Sequence, residues 1–360
     1  MKWLRDIHDR VDPLFAKGGR LEKVHALWEA HDTAMFTPGH VTRTAPHVRD
    51  GLDVKRLMIT VVVALQPCLL FALYNTGHQA MRAIERGAMP RDDWQMAVYQ
   101  GLGLGFDPGN LGMCMIFGAL YFLPIYAIGM LAGAVVEIGS AIIRNEEVNE
   151  GFLVTGMLLP LTLPATIPLW MVALGMAFGL IFGKEVFGGT GMNFLNPALT
   201  ARVFLFFAYP AYMSGDAPWI AADLTTTVDS YTGATLLAQA STIPNVLQDA
   251  SWTNAFLGFI PGSMGETSAL CALIGLVILL VTRVAAWQTI VGVTIGTVVL
   301  VSFLNTVGSS TNPMFEVPFW WHMVIGSWAF GTVFMATDPV SSAYTGVGKL
   351  WYGIGIGVLA

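Results

Sequence analysis

Thr235 closes the run Asp229-Ser230-Tyr231-Thr232-Gly233-Ala234-Thr235, inside a polar stretch from about residue 214 to 266. Small neighbours leave its hydroxyl sterically open and let the chain approach a bulky group closely. An open hydroxyl can be modified. Taken alone, Thr-Gly-Ala-Thr is also an ordinary turn before a helix, because Gly and Thr serve as turn and capping residues. Glu137 falls inside a long apolar run, where an ionised carboxylate is costly unless it is paired or lines a polar path. It either reaches the membrane surface or Arg144, or gives an oxygen ligand to a hard cation such as Na+. Asp338 is a second carboxylate of this kind. Asn193 and Asn196 offer amide donors and acceptors that either cap a helix or hold a ligand.

The composition says what surrounds these residues. Of 360 residues, 54% are hydrophobic and 12% charged, and the mean hydropathy is +0.61. About a quarter of the residues of a soluble domain are charged, so this is an integral membrane protein. The net charge of -6 comes with no basic run that would suggest a nucleic-acid partner. Ten of the 18 Lys and Arg lie in the first 56 residues, mixed with eight acidic residues. No apolar core follows Lys2 and Arg5, so residues 1–56 read as a cytoplasmic segment rather than a signal peptide. The stretch 214–266 holds five acidic residues and no Lys or Arg. Basic residues are retained on the cytoplasmic side, which assigns this loop to the outer face. Cys68, Cys114 and Cys271 sit in apolar runs without zinc spacing and read as small core residues.

Apolar runs predict an all-α, polytopic chain of about nine helical segments. A first membrane half covers 57–213, the outer loop 214–266, and a second half 267–360. The first span is expected over about Leu57 to Asn75, long enough at 1.5 Å per residue to cross about 30 Å of hydrocarbon. Residues 77–111 then form an outer connection in which Arg82, Arg86 and Arg91 mildly violate the charge rule. The second span, 113–143, contains Pro124 and should tilt or kink. Two short runs, Phe152 to Leu163 and Leu169 to Phe182, flank Pro164 and Pro168 and have the character of a discontinuous pair. Lys184 and Glu185 are expected to return the chain to the inner side. Further runs are expected at Pro197 to Tyr212, 268–282, 287–305 and 320–336, with Trp320, Trp321 and His322 as an interfacial belt. The last run, Leu350 to Ala360, is shorter than a span. Polar breaks at Gly188–Pro197 and Thr337–Pro339 occupy matching positions in the two halves, which points to a central binding site.

The pattern of Asp, two residues, Ser or Thr, then Gly-Ala-Thr resembles the flavinylation motif of the sodium-pumping NADH:quinone reductases and the related Rnf complexes. In that family a flavin transferase esterifies the phosphate of FMN to the last threonine, here Thr235. Ser230 stands where the family usually has Gly. Further matches are Val148-Asn-Glu-Gly151-Phe, Lys184-Glu-Val-Phe-Gly-Gly-Thr-Gly191, Asn193-Phe-Leu-Asn-Pro-Ala198, Phe204-Leu-Phe-Phe-Ala-Tyr-Pro210, Ile260-Pro-Gly-Ser263 and Phe334-Met-Ala-Thr-Asp-Pro-Val340. Together with Asp12 to Phe15 they resemble the B-type membrane subunits of the sodium-translocating reductases over nearly the whole chain. That group has about ten spans with internal pseudo-symmetry, so a further C-terminal portion with the last span is expected beyond this sequence.

The resemblance implies covalent FMN on Thr235, with Asp229, Thr232 and Gly233 as motif residues, and noncovalent riboflavin near Asn193 and Asn196. It implies a ubiquinone site around Gly133, Ala134 and Glu137; Ala134 replaces one residue of a Gly pair, and Val135 and Val136 replace aromatic positions. Na+ would pass near Glu137 and Asp338. Implied partners are other subunits of a membrane complex in the bacterial inner membrane, a flavin transferase and lipid. NADH would be oxidised on another subunit, since Gly101-Leu-Gly103-Leu-Gly105 lacks the strand-turn-helix setting of a dinucleotide fingerprint. Two alternatives stand beside this reading. The D-type membrane subunit of an Rnf complex shares fold and motif but exchanges electrons with ferredoxin and NAD, and the charged N-terminal extension argues against it. A passive channel or solute carrier would have broken spans but no need for the flavin motif.

Overall fold

A computed structural model describes residues 10–15, 19, 28, 54–144, 151–226 and 232–360. Most of the N-terminal segment, the Val148-Asn-Glu motif residues and Asp229 lie outside this set. The regular elements of the described residues are helices, with no strand; one isolated bridge joins Met89 to Asp223. Helices are what apolar chain must form in hydrocarbon, because only they satisfy every backbone group within the segment.

Helix α1 spans Val54–Glu85, α2 Trp94–Gly101, α3 Leu111–Arg144, α4 Gly151–Thr162, α5 Leu169–Gly183 and α6 Pro197–Ala208. In the second half, α7 spans Leu236–Thr242, α8 Trp252–Leu257, α9 Ala269–Val281 and α10 Trp287–Val307. Then come α11 at Phe319–His322, α12 at Trp328–Phe330 running into a π-turn at Gly331–Met335, and α13 at Gly346–Leu359. Among the described residues four helical stretches are long and apolar enough to cross a membrane, Leu57–Glu85, Leu111–Arg144, Leu169–Phe187 and Trp287–Val307. Helices α4, α6, α9 and α13 are apolar but shorter.

Glycine sets the helix crossings. A Cβ at Gly77 would strike the carbonyl of Cys114, and one at Gly118 the carbonyl of Leu73, so α1 and α3 touch backbone to backbone. Gly292 and Gly296 of α10 face Gly353 and Gly357 of α13 in the same way. These are two small-xxx-small pairs meeting each other, an arrangement that replaces the absent hydrophobic drive in lipid with close van der Waals contact. The break after α4 is closed by distant chain. Gly265 N–H donates to Leu161 O (2.8 Å) and Met264 N–H to Leu163 O (3.2 Å), satisfying carbonyls that the helix end leaves open.

Several boundaries differ from expectation. Helix α1 continues ten residues beyond Asn75, so Arg82 is helical rather than in a connection. Arg91 pairs with Asp93 at 3.2 Å. Asp93 also caps α2 and accepts from the Tyr121 hydroxyl at 2.9 Å, fastening α2 to α3. The run 320–336 is not one helix. Gly326 and Ser327 both take φ of 66°, a left-handed step that precedes α12 and keeps it separate from α11. Trp321 is buried with Ala240, Ala255 and Ile325 in a second core beneath the 214–266 stretch, so it is no part of a lipid-facing belt; Trp320 is exposed. Lys184 and Glu185, just after α5, are both buried.

Candidate functional site

Two polar sites lie along α6, one at its first residue and one on its body. At the start, Asn196 caps the helix, its Oδ1 accepting from Ala198 N–H (3.0 Å) and Leu199 N–H (3.2 Å). The same side chain donates through Nδ2 to Asp338 at 3.5 Å, across 142 residues. The two backbone breaks picked out by their matching positions therefore meet. Asp338 also accepts from the Ser341 hydroxyl (2.8 Å) and from Val340 N–H (3.1 Å). Asn193 is buried and donates to Leu195 O at 2.7 Å. Thr155, Lys184, Thr190, Asn193, Asn196 and Asp338 line one narrow cavity of about 70 Å3. That donor and acceptor set suits the polar edge of a flavin ring.

Glu137 has a definite partner. The Lys184 ammonium donates to its Oε1, with both side chains about 5% exposed. The same ammonium lies 3.2 Å from the Thr190 hydroxyl and 3.4 Å from Glu185 Oε1, and Glu185 in turn pairs with Arg144 at 2.9 Å. Glu137 is thus compensated by a buried lysine and not by Arg144 directly. A buried carboxylate missing such a partner would be strongly destabilising. Gly133 packs at ordinary contact distance against Leu180, Met176 and Phe152, Ala134 is half-buried and Val135 is exposed. Among the described residues no three His, Cys, Asp or Glu side chains gather as a metal cluster.

The second site is built around Thr235. Its Oγ1 accepts from Ala238 N–H at 3.2 Å as the cap of α7, and Gln239 Nε2 ties the helix back to Ala234 O at 2.7 Å. Thr232 Oγ1 accepts from Ala234 N–H (3.1 Å), closing the turn in between. Gly233 has a specific reason to be glycine. A Cβ there would drive into the Asp216 carbonyl and lie 2.6 Å from Leu224 Cδ1. Asp223, exposed at the start of this loop, accepts from the backbone N–H and hydroxyl of Thr225, which holds its carboxyl below the usual range.

Thr235 stands at a cleft of about 470 Å3 whose walls include Trp219, Phe206, Leu236 and Met314 and whose polar lining includes Arg202 and Glu266. Small-molecule sites run to about 300–1,000 Å3. Arg202 Nη1 donates to both oxygens of Glu266, at 2.6 and 2.8 Å, and Ser327 Oγ donates to Glu266 Oε2 at 2.7 Å. Beside this pair, Asn75 Nδ2 donates to Thr267 Oγ1 (3.2 Å) and Ile260 O (3.1 Å). The motif picks out Thr235 but not Arg202, Glu266 or the Lys184 pairing. A lone arginine inside the apolar run 197–212 is the available signal, since an intramembrane charge needs a partner. The partner, 64 residues away, is not legible in the sequence. Cys68 and Cys114 are buried as core residues.

A family model described as the NQR2, RnfD, RnfE family matches residues 41–360. The chain is 51% identical over 358 residues to the B-type subunit of the Na(+)-translocating NADH-quinone reductase of Chromohalobacter salexigens, covering 99% of this chain and 86% of that protein. It is 50% identical over 362 residues to proteins of the same name from Pseudomonas aeruginosa strain LESB58 and from Azotobacter vinelandii, covering 99% of this chain and 88% of each. The passive channel or carrier reading has no support in these relatives. With its helical spans, its broken-helix breaks and this similarity along nearly its entire length, the chain belongs to the NQR2, RnfD, RnfE family of polytopic membrane proteins.

Proposed function

We propose that this chain is the membrane subunit of a Na+-translocating NADH:quinone reductase that carries FMN covalently on Thr235 and passes electrons to quinone as Na+ is exported. The observation that carries the reading is the placement of Thr235: an accessible hydroxyl at a cleft of ligand size, on a turn that Gly233 fits against the Asp216 carbonyl. The printed names of the relatives supply the reaction class. When bound, FMN supplies reversible electron uptake, the chemistry that no side chain here offers.

The protein's own residues act around that group. Thr235 tethers it, Thr232 and Gly233 hold the turn, and the aromatic and apolar walls of the cleft flank it. Asn193 and Asn196 are the residues that would hold riboflavin. Gly133, Ala134 and Glu137 mark the quinone end of α3, where Lys184 keeps the Glu137 charge compensated. Glu137 and Asp338 are the Na+ path carboxylates of this scheme. Residues 1–56 lie in the cytoplasm, 57–213 and 267–360 form two membrane halves, and 214–266 faces outward from a bacterial inner membrane. NADH is oxidised on another subunit, and a flavin transferase matures this one. The alternative, the D-type subunit of an Rnf complex, has the weaker support, since the relatives named above are B-type subunits of the Na(+)-translocating reductase.

The test is intact mass and in-gel fluorescence of the denatured chain co-expressed with a flavin transferase, wild type beside Thr235→Ala. A mass gain of one FMN less water, lost in Thr235→Ala, is the expected result. An unmodified wild type, with the transferase active on another substrate, would overturn the assignment.

A further inference from the structure

Beneath Thr235 the cleft has an asymmetric charge. Arg202 and Glu266 pair through Nη1, but their exposures differ: the Arg202 side chain is 26% exposed and that of Glu266 only 2%. The carboxylate is sealed under the guanidinium by Ser327 Oγ at 2.7 Å, and Arg202 Nη2 reaches Ser263 Oγ at 3.4 Å. Among the described residues lining the cleft, Arg202 is the single cation and Glu266 the single carboxylate. The outer loop contributes no Lys or Arg that could substitute, because 214–266 contains none.

The buried carboxylate is held from two elements. Ser327 sits at φ 66°, a costly backbone state for a residue with a side chain, and uses it at the start of α12 to reach Glu266. Arg202 comes from the body of α6, about 9 Å along the axis from Asn196 at 1.5 Å per residue. A pair kept only to hold the helices together could be sealed at both ends. Here the cationic end is the one left open to the cleft that Thr235 borders.

We propose that Arg202, held by Glu266 and Ser327, is the positioning residue for the ring system of the group tethered to Thr235, and that its open positive face makes that group easier to reduce. The inference rests on the Thr235 reading. Two-electron reduction of a flavin ring with uptake of one proton leaves one net negative charge on the ring. A fixed cation beside the ring therefore favours the reduced form, and a negative charge there disfavours it. Glu266 works in opposition, so the two residues are predicted to shift the equilibrium in opposite directions.

The experiment is a mediated dithionite titration of the flavin absorbance of the full chain, co-expressed with its transferase. The Thr235→Ala chain, titrated in parallel, is subtracted to isolate the tethered flavin, and intact mass is recorded on every sample. Arg202→Gln should lower the reduction equilibrium constant at least tenfold, about 30 mV for a two-electron couple. Glu266→Gln should raise it, and Arg202→Lys should fall closer to wild type than Arg202→Gln. If Arg202→Gln does not accumulate, the doubly neutral Arg202→Met/Glu266→Leu chain, which leaves no buried charge unpaired, should lie between wild type and the low-potential side, and Glu266→Gln still tests the sign. Full mass gain with unmoved potentials overturns the inference and leaves Thr235 as acceptor. Reduced mass gain in Arg202→Gln with an unmoved potential also overturns it, moving Arg202 to the phosphate. Absence of mass gain in wild type removes the premise itself.

Discussion

At the scale of single residues, Gly233 and Lys184 show how much depends on what a position touches. Gly233 is small because the Asp216 carbonyl occupies the space a Cβ would take, so Gly233→Ala overpacks the turn at a cost of about 1–3 kcal/mol. The fraction of chain carrying flavin should fall to under about half of wild type while Thr235 remains intact, as read by intact mass. Equal loading in Gly233→Ala would show that the turn tolerates the methyl group. Lys184 is the buried partner of Glu137. Lys184→Met leaves that carboxylate uncompensated and should cost about 3–5 kcal/mol, whereas the double Lys184→Met/Glu137→Gln change should recover most of the loss. Detergent-solubilised thermal unfolding of the three chains checks it, and equal midpoints for single and double variants would sink the pairing. The sequence marks Glu137 as an expensive charge and puts Lys184 where the chain returns to the inner side, but spacing alone cannot show that the chain folds back at Lys184 to meet α3.

At the scale of elements, hydropathy locates most helices and none of their crossings. The second span is expected over 113–143 and is Leu111–Arg144; the short runs flanking Pro164 and Pro168 are α4 and α5. The continuous run 320–336 misleads, because apolarity carries no trace of the left-handed step at Gly326 and Ser327. Which glycines form contacts is equally invisible in composition. Gly357 meets the backbone of α10, while Gly355, two residues away on α13, has nothing within 4 Å of a built Cβ. Gly357→Val should therefore separate α10 from α13 and lower the unfolding midpoint by several degrees, and Gly355→Val should leave it unchanged. Similar losses at both positions would show that helix propensity, not the crossing, sets the effect.

For the whole molecule, the charge distribution proposes which side each loop faces, and labelling tests it. In a chain with Cys68, Cys114 and Cys271 replaced, Ser241→Cys on α7 and Met192→Cys in the break before α6 are both exposed positions. A membrane-impermeant maleimide should label residue 241 in intact cells and residue 192 only after permeabilisation. Labelling of 192 from outside would invert the topology.

Sequence alone determined the class of molecule, the family and the sites of the backbone breaks, and singled out Thr235 as the proposed acceptor, because hydropathy, charge asymmetry and short motifs are local properties of the chain. Tertiary structure decided which breaks meet, at Asn196 and Asp338, and which buried charges pair, Glu137 with Lys184 and Glu266 with Arg202. Such pairings join residues 47 to 142 positions apart. In a medium that leaves no buried charge unanswered, each partner is selected by where the helices bring it, and no local pattern records that choice.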